Sequence, residues 1–380
     1  MKPELARLVA GHICIHACMA GTRMAAPLLA LEQGHSAAAV GVLMALFALT
    51  QVFLALPAGR FADRHGLKRP LALSVIVAVT GAGLAAVWPV FPVLCLAALM
   101  TGGATGAASI ALQRHVGRAA HGTTELKRVF SWLAIGPAMS NFIGPFTAGL
   151  LIDHAGYRAA FGLMAALPLA TWFWVRRTRE LPPVEPFVNP TGQRAWDLLR
   201  EPMMRRLMLV NWFLSSCWDV HTFVLPVLGH ERGLSASVIG TILGVFALAA
   251  ATIRVLLPLI AAHLQEWAVI ATAMAGTALV FAVYPLLDSP WAMGFSSVLL
   301  GLLLGSVQPM VMSMLHQITP EHRHGEALGL RLVFINASSV LMPMLFGTAG
   351  AVVGVASVFW FVGAAVAGGT RAAWLLRPRA

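Results

Sequence analysis

Long apolar runs follow one another along the whole chain, separated by short charged or turn-forming breaks. Each is close to the roughly 20 residues that cross a bilayer as a helix. The runs cover 7–31, 36–58, 69–88, 91–113, 128–151, 158–175, 207–229, 235–261, 266–286, 290–316, 326–349 and 352–375. Twelve such runs predict an all-α membrane protein. The longest break, Arg176–Arg206, contains "RRTRELPPVEPFVNPTGQRAWDLLREP". Its prolines and charges predict a linker with a short surface helix near Gln193–Arg200. It divides the runs six and six: an N-terminal six-helix bundle over 1–175, a cytoplasmic linker over 176–206 and a C-terminal bundle over 207–380.

Composition agrees with the pattern. Of 380 residues, 58% are hydrophobic and only 11% charged, with mean hydropathy +0.79, against about 25% charged in a soluble domain. The formal charge of +11 does not point to nucleic acid, because the basic residues lie between the apolar runs. Topology explains them. With the N-terminus cytoplasmic, almost every Arg and Lys falls inside, only Arg158 and Arg232 fall outside, and Arg23 and Arg254 fall within spans. This predicts an even number of spans with both termini cytoplasmic. Lys2 and Arg7 precede a run longer than a signal-peptide core, so it is expected to be the first span. Cys14, Cys18, Cys95 and Cys217 all fall in spans and make no disulfide framework. In "HICIHAC", His12 and His16 share one helix face while Cys14 and Cys18 share a nearly opposite one. The four do not converge, and no metal site is expected.

The two halves are related to each other. A shift of 199 residues places Pro27 on Pro226, Gly34 on Gly233, Ser36 on Ser235, Gly41 on Gly240 and Phe47–Leu49 on Phe246–Leu248. "GHSAAAVGVLMALFAL" is thus matched by "GLSASVIGTILGVFAL". Shifted by 203, His121–Gly122 and Arg128 fall on His324–Gly325 and Arg331; Pro145 and Gly149 match Pro343 and Gly347 after a small deletion. Parallel six-span repeats are the layout of one class of secondary transporter.

An arginine inside a span needs compensation of about 2.5–3.5 kcal/mol on insertion scales. His12, His16, Ala20 and Arg23 form one helical stripe. Shifted by 199, these positions are Asn211, Ser215, Asp219 and Thr222, a second polar stripe on the seventh span. Asp219 lies three residues from the equivalent of Arg23, about 4.5 Å along a helix axis. Ionisable residues in spans mark pathways, so Arg23 and Asp219 are expected on one water-filled path, one from each half. A static ion pair is the plainer alternative. His221 is on a different face and is expected to be packed. Arg254 is expected either to contact Asp219 or to reach the inner interface. Thr105, Ser109 and Gln113 share a face of the fourth span, and Gln308, Met312 and His316 one of the tenth. The 203 offset pairs Thr105 with Gln308 and Gln113 with His316. These are candidate cavity positions, or hydroxyls and amides bonding neighbouring helices. "TGGATGAAS" reads as close helix packing.

The break between the second and third runs reads "GRFADRHGLKRPL", Gly59–Leu71. Glycine, then Asp-Arg, then glycine, then a basic pair resembles the signature of the major facilitator superfamily, in the loop where that family carries it. "PEHRHGEALGLR", Pro320–Arg331, resembles the family's loop between the tenth and eleventh spans. "GPFTAG", Gly144–Gly149, partly resembles the fifth-span motif of its proton antiporters, with Ala148 and Ser140 where glycines are usual. The resemblance implies two pseudo-symmetric six-helix bundles. It also implies that the first and seventh spans line a central cavity. It further implies a conformational latch at Gly59, Asp63, Arg64, Gly66 and Arg69, in which Asp63 holds the start of the eleventh span near Gly325 in the outward-open state. On the residues alone, Gly59 and Gly66 permit close approach and a tight turn, and the basic residues serve topology. The matching loop of the second half, "PLIAAHLQEW", lacks these charges.

The expected function is secondary transport of a small organic solute, anionic ones included, across a bacterial inner membrane by alternating access, leaning to export. No Walker-type phosphate loop occurs in the sequence, and no cofactor is expected beyond a proton as coupling ion. Asp219 would carry the proton, with His16 or His316 assisting, and Arg23 would hold an anionic group or pair with Asp219. The pathway set is Arg23, Asp219, His16, Thr105, Gln113, Ser215, Thr222, Gln308 and His316. The partners expected are a small-molecule substrate and the lipid bilayer, for a monomeric chain. A membrane-embedded enzyme would need a constellation that the sequence lacks. A non-transporting receptor or lipid-handling protein on the same fold remains the alternative.

Overall fold

The computed structural model describes residues 3–119, 123–181, 195–260, 265–319 and 324–377. Eleven helices carry the chain: α1 (Pro3–Glu32), α2 (Ala37–His65), α3 (Lys68–Val87), α4 (Phe91–Ala119), α5 (Thr123–Val175), α6 (Pro202–Glu231), α7 (Ala236–Ile260), α8 (Glu266–Val283), α9 (Pro290–Ile318), α10 (His324–Val353) and α11 (Val355–Trp374). No strand occurs among the described residues. Ten helices are long and apolar enough to cross a bilayer. One of them, α5, has 53 residues and is two spans joined at Gly156, whose φ of 81° is non-helical. The helix outside the ten is α6. Its 30 residues are of spanning length, but Asn211, Ser215, Ser216, Asp219, His221 and Thr222 make it polar. Twelve spans result, as the apolar runs predicted.

Two boundaries differ from expectation. The predicted break after residue 58 is absent, because α2 continues to His65. Gly59 therefore sits inside a helix, in open space, and makes no turn. The turn is confined to Gly66, with φ 73°, whose N–H donates to the Ala62 carbonyl at 3.0 Å. Likewise 152–157 is no loop; the chain stays helical up to the kink at Gly156. A short 3-10 turn over Ala195–Arg200 occupies part of the linker.

The internal repeat has a visible local chemistry. Gly34 and Gly233 both adopt positive φ, 82° and 68°, and end their helices. The Ser36 hydroxyl then accepts from the Ala39 N–H at 3.3 Å, and the Ser235 hydroxyl from the Val238 N–H at 3.4 Å. Glycine supplies the left-handed residue and serine caps the next helix. "GHS" and "GLS" are one turn written twice.

The termini-side ends of the helices are called proximal here, and the opposite ends distal. At the distal end the halves meet in two equivalent crossings. A Cβ on Gly41 of α2 would strike the Pro343 carbonyl of α10, and one on Gly240 of α7 would strike the Pro145 carbonyl of α5. Reciprocally, a Cβ on Gly347 would lie 2.6 Å from the Ala37 carbonyl, and one on Gly149 2.5 Å from the Ala236 carbonyl. These are the repeat-matched positions. Small residues let helix backbones touch where lipid offers no competing hydrophobic drive. The α5–α7 crossing carries a further tie. The Asp153 carboxylate accepts from the Ala236 N–H at 3.1 Å and the Ser237 N–H at 2.8 Å, capping α7 from the other half. Such a cap is worth about 1 kcal/mol.

A leucine at Gly41 or Gly240 has nowhere to go except by parting the backbones. The Gly240→Leu variant is expected to raise labelling of a Thr222→Cys reporter, by an impermeant thiol reagent applied from the distal side, at least several-fold. Asp153→Ala is expected to raise it less, because only a cap is lost. Unchanged labelling in Gly240→Leu would show that this crossing does not seal the distal end.

Candidate functional site

Both α6 and α10 run from the proximal to the distal face and lie side by side. Asp219 of α6 is buried, and α10 supplies its partners: the Ser338 hydroxyl donates to Oδ2 at 3.0 Å and the Ser339 hydroxyl to Oδ1 at 3.2 Å. The cation comes from the other half. Arg23 Nη2 of α1 stands 3.8 Å from Asp219 Oδ1, with side-chain exposures of 25% and 5%. This is one ion pair across the seam between halves, at the depth where α1 and α6 approach each other. A buried carboxylate needs such hydrogen bonds as well as a counter-charge, and here two hydroxyls supply the bonds and Arg23 the charge.

A cavity of ≈ 230 Å³ adjoins the pair, lined by Arg23, Asn211, Ser215, Asp219, Gln308 and Ser339 among others. A smaller void of ≈ 50 Å³ reaches towards the distal crossing, between Arg23, Asn141, Pro145 and Thr222. Arg23 borders both. Several wall groups are buried with no hydrogen-bond partner: Arg23 Nε, both amide atoms of Asn211, and the Ser215 hydroxyl.

The expected pathway residues divide. Arg23, Asp219, Ser215 and Gln308 lie around the larger cavity and Thr222 beside the smaller. The Thr222 hydroxyl donates to the Trp218 carbonyl at 3.0 Å. Thr105 does not face this space. Its hydroxyl donates to the Ile15 carbonyl at 3.3 Å, joining α4 to α1 inside the first half. Gln113 is exposed near the proximal end of α4. His16 is half-buried against His12, ring centroids 6.0 Å apart, and neither cavity includes it. His12 Nε2 and the Ser109 hydroxyl are 3.0 Å apart. The side chains of His316 and Asp63 lie outside the described residues. His221 is packed in the second half, 2.9 Å from the Ser297 hydroxyl, which Tyr284 also reaches at 2.8 Å. Arg254 joins the larger cavity. Its Nε donates to the Gly305 carbonyl at 3.3 Å and its guanidinium lies 5.7 Å from the Trp218 ring centroid.

At the proximal face, Arg64 and Arg69 are exposed. Glu180, just after the sixth span, accepts from the Leu67 N–H at 2.5 Å and the Lys68 N–H at 3.0 Å. A Cβ on Gly66 would collide with that carboxylate. The glycine is thus required by its φ, and a side chain there would also displace the Glu180 carboxylate.

The model of the Major Facilitator Superfamily matches residues 8–295 and 207–380. The chain belongs to the major facilitator superfamily. Its sequence relatives in that superfamily include the class B tetracycline resistance protein of Escherichia coli, 26% identical over 319 residues, covering 80% of this chain and 77% of the relative. The class E protein of Escherichia coli is 26% identical over 316 residues with the same coverage. Among solved structures, a POT family transporter in complex with 5-aminolevulinic acid superposes with TM-score 0.82 at 14% identity, over 98% of this chain and 95% of that one. A bacterial homologue of the human lysosomal transporter Spinster, inward-facing and occupied, gives 0.80 at 13% over 99% and 97%. The nucleoside transporter NupG gives 0.79 at 13% over 99% of each chain. This superfamily member is therefore a multi-pass membrane protein and a secondary transporter of small molecules rather than an enzyme.

If the pair is mutually sustaining, Arg23→Gln and Asp219→Asn will each lower thermal stability, and the double variant will lose less than the sum. The coupling energy is expected on the order of 1–3 kcal/mol, measured by a double-mutant cycle on purified protein. Strict additivity would show that the two charges do not interact.

Proposed function

We propose that this chain is a proton-coupled exporter of a small organic solute in a bacterial inner membrane, working as a monomer with both termini in the cytoplasm. Its two bundles, 1–175 and 207–380, move as units joined by the 176–206 linker. The observation that carries the reading is the Arg23–Asp219 pair, one charge from each half, buried beside a polar cavity. A salt bridge across the moving seam can be opened by a proton. With Asp219 ionised, it holds Arg23 and the halves stay paired at that depth. When Asp219 takes a proton, its attraction for the guanidinium falls, and Arg23 is released to the cavity. Proton binding at Asp219 and solute binding at Arg23 are then linked through one ion pair.

With cytoplasmic termini, the distal closure corresponds to a cavity served from the cytoplasm. Solute enters there, meets Ser215, Gln308 and Arg23, and leaves after the halves rock open distally. The signature loop, through Asp63, Arg64, Gly66 and Arg69, would close the proximal side in the opposite state. Tetracycline resistance proteins among the relatives support the export direction, as does the partial fifth-span match.

In proteoliposomes carrying a solute identified by thermal stabilisation, Asp219→Asn is expected to abolish accumulation driven by a pH gradient. Exchange of solute at equal pH should persist. Full gradient-driven transport by the variant would refute the coupling role.

A further inference from the structure

The Arg23–Asp219 pair accounts for one cation and one anion beside the cavity, yet one more arginine stands in its wall and another just proximal to it. Arg254 lines it, and among the described residues Asp219 is the only carboxylate in its wall. Arg331 is the second. It lies one helical turn proximal to Ile335 and two turns from Ser339, both cavity residues of α10, and so shares their face. On α6, Asn211 lies the same two turns proximal to Asp219. Because Ser339 is bonded to Asp219 and the two helices run the same way, Arg331 stands at the level of Asn211, about 12 Å from the pair.

Arg331 is 7% exposed, and its Nε and Nη2 have no hydrogen-bond partner among the described residues. It is also close enough to Arg254 for the two guanidiniums to repel. At the same level the Asn211 amide has both polar atoms buried and unpartnered, and the Ser215 hydroxyl next to it is unpartnered too. Among the described residues Arg254 finds a carbonyl and an aromatic face, at Gly305 and Trp218. Burying guanidiniums with idle N–H groups is costly. Idle donors in the wall of one void and one helical turn beyond it make a site suited to an acceptor-rich, negative occupant.

Resting on the transporter reading above, we infer that the solute is a small organic dianion, a dicarboxylate or a phosphate monoester, held between Arg254 and Arg331. Asp219 neutralises Arg23, so two positive charges remain and two negative ones balance them. Asn211 and Ser215 complete the hydrogen bonds. A void of ≈ 230 Å³ has room for a solute of small-metabolite size. Trp218, Leu304 and Val307 give its carbon skeleton an apolar wall.

The test uses the purified full-length chain in detergent with succinate, phthalate and glycerol 3-phosphate as probes, and butyrate and glycerol as controls. At least one dianion is expected to raise the melting temperature in a saturable way while the controls do not. Arg254→Gln and Arg331→Gln should each weaken that binding tenfold or more, and Arg331→Lys should retain most of it. The inference is overturned by any of three results: no dianion stabilises the protein, butyrate does so equally, or both Gln variants bind as the parent does. Phosphatidylglycerol stabilising the protein without competition from soluble dianions would also overturn it, since the charge would then belong to lipid. Two patterns separate this from the coupling reading. Pulled apart one way, a neutral or cationic dye moves on a pH gradient with no dianion binding, and only the dianion is lost. Pulled apart the other way, dianions bind through the arginines while Asp219→Asn leaves gradient-driven transport intact, and only the coupling is lost.

Discussion

A carboxylate buried between two halves of a protein must be satisfied from both sides, and Asp219 organises this molecule around that need. Its own half offers two hydroxyls, Ser338 and Ser339, and the opposite half offers Arg23. Remove either contribution and the remaining charge is stranded in a low-dielectric interior. That requirement fixes the mutual depth of α1 and α6, selects small hydroxyl residues on α10, and explains why α6 is too polar to pass for an ordinary membrane helix. The cavity follows from the same cause, since polar walls that cannot all bond one another leave room beside them.

Much of this could be read from the sequence because bilayers restrict the options. Backbone groups in hydrocarbon must be satisfied within a helix, so apolar runs become spans almost one for one. The repeat was legible at "GHS" and "GLS" because a left-handed glycine and a capping serine leave few substitutes. Matching the stripes on the first and seventh spans put Arg23 beside Asp219. The same offset carried less for the fourth and tenth spans. Gln308 reaches the cavity, whereas Thr105 is turned against α1, because repeat position sets depth on a helix and leaves its rotation to the packing around it.

What the sequence could not show were partners distant along the chain with no charge to advertise them. Ser338 and Ser339 sit next to one another in "NASS", but the small deletion there breaks the repeat register. Glu180 lies past the sixth span in what reads as linker, yet it caps the start of α3. Gly59 misled in the opposite direction: glycine usually signals a turn, but the helix was already held on both sides and ran through it.

The two distal crossings are geometric twins, but only one carries an electrostatic fastening. Asp153 grips the first amides of α7, and the described residues place no such carboxylate between α2 and α10. Parting the halves therefore costs more along one edge than the other. The Asp153 cap gives the α5–α7 edge a fastening that repeat symmetry alone does not supply, so the two matched seams are unequal in strength.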